Sequence, residues 1–151
     1  MLAIGQDAPG FELRDEQGNV VRLADFRGKS PVVLIFYPKD STPGCTKQLC
    51  EVRDDYGRYQ DAGIAVFGVN PGTAADHKKF IERYALRMPL LLDDGAKVAA
   101  AYDALMPIPL LKIVNRTVVG IDRDGKIAYY QRGMPSTTEI LAGMAAATAS
   151  A

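Results

Sequence analysis

Apolar positions along the chain follow two rhythms. Val32-Val33-Leu34-Ile35-Phe36 and Ile64-Ala65-Val66-Phe67-Gly68-Val69 are unbroken apolar runs of strand length, as expected of strands buried on both faces. Pro38 ends the first, because proline cannot donate to a sheet ladder, and Asn70-Pro71-Gly72 turns the chain after the second. Pro89-Leu90-Leu91-Leu92 is a third, short strand stopped by Asp93-Asp94-Gly95. Between these runs the spacing becomes helical. Cys45, Leu49, Val52, Tyr56 and Tyr59 make one apolar stripe after a turn at Pro43-Gly44. Phe80, Ile81 and Tyr84 make a second, opened by Thr73 with Asp76 three residues on, a capping-box pattern. Val98, Ala101, Tyr102 and Leu105 make a third. Ser136 with Glu139 opens a last helix, whose alanine-rich tail from Ala145 is expected to fray.

Two stretches read as hairpins. Phe11-Glu12-Leu13-Arg14 alternates, Asp15-Glu16-Gln17-Gly18-Asn19 turns, and Val20-Val21-Arg22-Leu23 returns. Thr117-Val118-Val119-Gly120-Ile121 and Lys126-Ile127-Ala128-Tyr129-Tyr130 flank the turn Asp122-Arg123-Asp124-Gly125. Gly120 inside a strand predicts a bulge or a close backbone approach. Met106-Pro107-Ile108-Pro109-Leu110-Leu111 carries two prolines and therefore reads as a loop with apolar side chains, expected to cover the core. The other reading is that it rims a substrate entrance or supports a dimer contact. Strands alternating with helices indicate an α/β sandwich.

Composition narrows the function classes. At 151 residues the chain is expected to form a single domain, residues 1–151, and 48% hydrophobic content suits a packed core. Lys plus Arg and Asp plus Glu are equal at 18 each, which removes the electrostatic case for nucleic acid or an acidic membrane. Two cysteines are too few for a secreted disulfide scaffold. Met1-Leu2-Ala3-Ile4-Gly5-Gln6-Asp7 lacks the basic and apolar segments of a signal peptide, and no apolar run approaches the ~20 residues of a membrane span. A cytoplasmic protein is expected.

The chemistry concentrates on the thiols. Cys45 falls in the first turn of its helix, where unpaired N–H groups and the helix dipole favour thiolate over thiol. Such settings lower a cysteine pKa from about 8.5 into a range of roughly 3.5–7.5. Thr42, three residues back, is positioned to hydrogen-bond toward the sulfur or an incoming oxygen. In an ideal helix Cys50 lies about 140° around from Cys45, with Cα atoms roughly 8.6 Å apart. A disulfide needs them within about 7 Å. Bonding between these two thiols therefore requires the turn to unwind.

The string Phe36-Tyr37-Pro38-Lys39-Asp40-Ser41-Thr42-Pro43-Gly44-Cys45-Thr46, with Cys50 and Arg53-Asp54 after it, resembles the peroxiredoxin family and its bacterioferritin-comigratory, or Q-type, branch. The family motif of proline, three residues, threonine, two residues and cysteine is matched by Pro38, Thr42 and Cys45. Gly5, Ala8-Pro9, Phe11, Leu13, Gly18, Val21, Leu23 and Phe26-Arg27-Gly28-Lys29 extend the likeness to the N-terminus. The resemblance implies a thioredoxin-like fold, a central mixed β-sheet flanked by helices with an N-terminal β-hairpin. It implies that Cys45 is the peroxidatic cysteine, Cys50 the resolving one, and Arg116 the active-site arginine. It further implies a peroxide substrate, no cofactor, recycling by thioredoxin or a similar dithiol, and a monomer or weak homodimer.

Duller readings stand beside these. By spacing alone Arg116 is a solvated loop arginine, and Arg132 takes its place if Val119-Gly120, where the branch usually has phenylalanine and leucine, shifts the strand register. Cys50 reads otherwise as a spectator on the helix flank, although no further cysteine is present to resolve a sulfenic acid within the chain. His77 is expected to be structural or exposed, since one histidine and two cysteines do not build a zinc site. Asn115-Arg116-Thr117 spells a glycosylation acceptor that has no meaning in a cytoplasmic protein. Two other functions share the fold: a thiol–disulfide oxidoreductase acting on protein partners, and a non-catalytic thioredoxin-like binding module. The first usually needs two cysteines separated by two residues, which this chain lacks.

Overall fold

The computed structural model describes residues 1–149, apart from the side chains of Cys45 and Ala149. Its centre is β3, Val32–Phe36, in which every residue is buried. This strand pairs in parallel with β4, Ala65–Asn70, and antiparallel with β6, Thr117–Ile121. With β5, Leu90–Leu92, and β7, Ile127–Arg132, the sheet has the order β5-β4-β3-β6-β7. It is the mixed sheet of a thioredoxin-like fold.

Alternation along the strands divides the core in two, because successive side chains leave a sheet on opposite faces. Val33, Ile35 and Val118 pack with Leu49, Val52, Tyr59, Phe80, Ile140 and Met144. Those partners lie on or beside α1 (Pro43–Asp54), α2 (Tyr56–Asp61), α3 (Ala74–Tyr84) and α5 (Thr137–Gly143); α6 (Ala145–Ala149) continues on the same face. Val32, Leu34, Phe36, Val119 and Ile121 face the other way, onto Ala99, Tyr102 and the N-terminal hairpin of β1 (Glu12–Arg14) and β2 (Val20–Arg22). Burying an aliphatic side chain of this size stabilises by about 1.5–3 kcal/mol. Both predicted caps form: Thr73 accepts from the Asp76 N–H and Ser136 from the Glu139 N–H.

Four elements depart from the sequence pattern. The stripe from Cys45 to Tyr59 is broken at Asp55 into α1 and α2, although Val52 and Tyr59 still reach the same core. The helix of Val98, α4, spans only Lys97–Ala101, because Asp103 turns into the left-handed region and Leu105 instead bridges Val114. Its start is held by the buried Asp93, whose carboxylate accepts the N–H groups of Val98 and Ala99 at 2.9 Å each. The hairpin turn carries buried contacts that its alternation does not announce. Asp15 and Glu16 are buried, Asp15 bridges Leu91, and Glu16 accepts the Leu90 N–H at 3.0 Å, closing the β5 edge. Finally, the loop from Met106 to Leu111 does not cover the core. Met106, Ile108 and Leu111 are exposed, and Leu110 is fully so.

Among the described residues, no helix is long and apolar enough to cross a membrane.

Candidate active site

The site forms where β3 ends and α1 begins. Tyr37 continues the strand, its N–H donating to Val69 and its carbonyl accepting from the Asn70 side-chain amide at 2.9 Å. Pro38, half-buried, then releases the chain from the ladder. The loop to Thr42 includes Ser41 in the left-handed region, at φ 61°. Thr42 is the residue before the helix, and Pro43 and Gly44 are its first two positions rather than a separate turn. Proline suits that first position, since its missing N–H would have had no partner there.

Cys45 follows, in the first turn of α1, as the helical spacing predicts. Its side chain, to which the sequence assigns the nucleophile, lies outside the described residues. The surroundings are described. Thr42 makes no side-chain cap to the helix; its hydroxyl donates to the Lys39 carbonyl at 3.0 Å. The amides of the first turn are thus left for another acceptor, and toward the site the Thr42 oxygen presents lone pairs rather than a proton. No acidic residue stands in that turn to compete for its positive end.

The cation comes from a distant part of the chain. Phe36 pairs with Thr117 across the β3–β6 ladder, so Arg116 arrives beside the point where β3 hands over to the loop. Its guanidinium lies against the first turn of α1. A Cβ on Gly44 would stand 2.7 Å from Nη2 and 3.3 Å from Cζ. Nη1 also donates to Gln48 Oε1 at 3.4 Å, and the Arg116 carbonyl accepts from the Gly133 N–H at 2.8 Å. The glycine in the helix is what admits the arginine.

Arg132 is engaged elsewhere. It donates to Thr117 Oγ1 at 2.8 Å, lies 3.7 Å from the Asp103 carboxylate, and stacks over the Tyr130 ring. The irregularity that Gly120 predicts is present, with the β6–β7 register shifting between Gly120 and Ile121. It leaves β3–β6 and the end of β6 nearest Arg116 regular, so Arg116 keeps its place. The close approach is present too: a Cβ at Gly120 would stand 2.1 Å from Met144 Sδ.

Cys50 is half-buried and a free thiol, packed against the core that α1 shares with the sheet. Since α1 is continuous from Pro43 to Asp54, the turn between the two cysteines is wound.

Sequence reasoning missed three neighbours. Gln48 is buried and meets Arg116, yet falls outside the apolar stripe that the helical spacing picks out. Gly44 reads as punctuation until the guanidinium beside it is seen. Asp40 pairs with His77, whose ring is wholly buried, at 2.5 Å. Of the structural and exposed readings of His77, the exposed one is excluded, and its partner, 37 positions away, has no local signature.

The AhpC/TSA family model matches residues 4–130. Peroxiredoxin Bcp of Bacillus subtilis is 40% identical over 122 residues, 81% of this chain and 75% of that protein. A crystal structure of peroxidoxin BcpB from Mycobacterium tuberculosis superposes with a TM-score of 0.87 at 31% identity, covering 97% of this chain and 98% of that one. The chain belongs to the AhpC/TSA family. Within it, the likeness is to the Q/Bcp peroxiredoxins, as the motif around Cys45 implies. Chloroplastic peroxiredoxin Q of rice (Oryza sativa subsp. japonica) is 42% identical over 126 residues, 83% of this chain, and the chain spans only 57% of that relative's length.

Proposed function

We propose that this protein is a thiol-dependent peroxidase, a single peroxiredoxin domain that reduces hydrogen peroxide and alkyl hydroperoxides through Cys45. The observation that carries the reading is the Arg116 guanidinium lodged against Gly44, in the turn that also carries Cys45. A fixed cation and free helix amides together favour the thiolate and stabilise negative charge building on a departing oxygen. Preorganised donors of this kind are each worth about 10²–10³ in rate.

In the first step the Cys45 thiolate attacks one peroxide oxygen and the O–O bond breaks. The sulfur is oxidised to sulfenic acid while the other oxygen takes a proton and leaves as water or an alcohol. Thr42 accepts the hydroperoxide O–H, a role its lone pairs allow because its own proton goes to Lys39. Arg116 holds the leaving oxygen. Pro38 ends the strand so that this loop is set beside the helix. The turn of α1 then unwinds, Cys50 attacks the sulfenic sulfur, and water leaves as a disulfide forms. An external dithiol, thioredoxin or a similar protein, restores both thiols by exchange. No cofactor takes part. A cytoplasmic setting, where thiols stay reduced, suits this pair. The protein acts as a monomer or weak homodimer.

The deciding experiment is intact mass after one equivalent of peroxide. Wild type is expected to lose two hydrogen atoms, Cys50→Ser to gain one oxygen, and Cys45→Ser to remain unchanged. Oxidation of Cys45→Ser at the wild-type rate would overturn the assignment. A thiol–disulfide oxidoreductase of this fold would instead exchange disulfides with protein partners and consume peroxide slowly.

A further inference from the structure

Beneath the reactive turn lies a buried polar chain that the proposed chemistry leaves unused. The Tyr37 hydroxyl donates to Asp40 Oδ1 at 2.6 Å, and Asp40 Oδ2 lies 2.5 Å from His77 Nδ1. Between a carboxylate, which accepts, and an imidazole, it is the tautomer with its proton on Nδ1 that makes this contact a hydrogen bond. Tyr37 and His77 are both wholly buried, and His77 Nε2 has no hydrogen-bond partner among the described residues. A buried polar group left half-satisfied is destabilising. Packing alone would be better served there by an apolar side chain. The backbone crowds in as well: Asn70 Oδ1 accepts the Gly72 N–H at 2.7 Å, and a Cβ at Gly72 would stand 3.2 Å from His77 Cε1.

Position in the chain gives this group its meaning. Asp40 precedes Cys45 by five residues, within the loop that contains Ser41 at positive φ and the site's Thr42. His77 is on α3. At the far end of the same helix, the Tyr84 carbonyl accepts from Arg53 Nη1 at 2.6 Å, and Arg53 lies three residues beyond Cys50. One rigid helix therefore grips the chain on both sides of the Cys45–Cys50 turn.

We propose that His77 is a positioning residue for Cys45. Through Asp40 it holds the Pro38–Thr42 loop and the mouth of α1 in the reactive geometry, while Arg53 secures the other flank, so that the turn between them unwinds and rewinds between two fixed points. The inference rests on the peroxidase reading above and adds to it residues that do not touch substrate. Geometry is the mechanism: a displacement of about 1 Å at a reacting pair costs up to 10²-fold in rate.

The test uses the full chain carrying Cys50→Ser, which stops the reaction at sulfenic acid. Two quantities are read for folded protein: the second-order rate of sulfenic acid formation with hydrogen peroxide, and the pH profile of Cys45 alkylation. His77→Leu removes the donor and is expected to slow peroxide oxidation by about tenfold or more and move the alkylation profile to higher pH. His77→Asn, which keeps an N–H near the Nδ1 position, is expected to recover most of both. Tyr37→Phe removes only a hydroxyl, and is expected to shift both in the same direction by less. A purely architectural histidine would lower the melting temperature in His77→Leu and leave rate and pH profile at the parent values, which overturns the proposal. If His77→Leu does not fold, Tyr37→Phe decides, and parental values there overturn it equally. Absence of peroxide oxidation in the Cys50→Ser parent would instead refute the peroxidase reading itself.

Discussion

Replacing Gly44 by alanine separates the chemistry of the site from the stability of the helix that carries it. The added Cβ would stand 2.7 Å from Arg116 Nη2, where ordinary contact begins at 3.4 Å, so the guanidinium must withdraw by about 0.7 Å. That movement is cheap for the fold, because the obstructing atom is the end of a long side chain. Gly44 also has ordinary helical backbone, so alanine there gains up to about 0.5–1 kcal/mol in helix preference. The site bears the cost. A donor displaced by a large fraction of an ångström from developing charge is expected to lose on the order of 10–100-fold in rate. The melting temperature should therefore hold or rise while the second-order rate with hydrogen peroxide, measured in competition with a second peroxidase, falls. Gly57→Ala is the control: it lies in α2 with open space where its Cβ would go, and should match any stability gain at full activity. Wild-type rates in Gly44→Ala would refute the role given to the guanidinium. Equal rate losses in both variants would place the effect in helix rigidity rather than in Arg116.

Other expectations follow from the same contacts. Arg116→Ala should lower the peroxide rate by about 10²–10³, whereas Arg132→Ala, which loses its bond to Thr117, should lower thermal stability and keep the rate; the reverse ranking would exchange their roles. Gly120→Ala drives a methyl to within 2.1 Å of Met144 Sδ and 3.0 Å of Tyr129 Cβ, and should cost about 1–3 kcal/mol, read as a lower urea midpoint at constant slope. Brief proteolysis should cut the peroxide-treated protein between Cys45 and Glu51 and spare the reduced one; identical fragments from both would count against unwinding of α1. Burial raises the phenols of Tyr102 and Tyr59 above their ordinary value of 10.0. A group raised on folding contributes stability that is whole below its unfolded pKa and lost as pH climbs through the folded one. The melting temperature should accordingly drop once pH passes 10, and a flat profile well beyond that point would contradict their burial.

The exposed loop from Met106 to Leu111 shows where local patterns mislead. Apolar side chains and two prolines predict a covered loop, because exposing such surface is unfavourable. Pattern alone carries no information on which side of the chain the rest of the molecule lies. Leu110 sits at φ 68° with its side chain fully in solvent, a placement that only the assembled fold could set.

What the sequence by itself determined was everything written in periods and short spacings. Two unbroken apolar runs required strands covered on both faces, and these are β3 and β4 at the middle of the sheet. The proline, threonine and cysteine around a helix start put Cys45 in the first turn of α1, since caps and dipoles act within a few residues of the chain. The five-residue interval to Cys50 already dictated that these two thiols could bond only if the turn opened. Tertiary structure alone decided the partners. Arg116 meets Gly44 across 72 positions because β6 runs antiparallel to β3 with Thr117 opposite Phe36. His77 meets Asp40 because α3 packs on the same face of the sheet as α1. Side-chain rhythm records which face of an element is apolar, but the register between strands chooses the residues that finally touch.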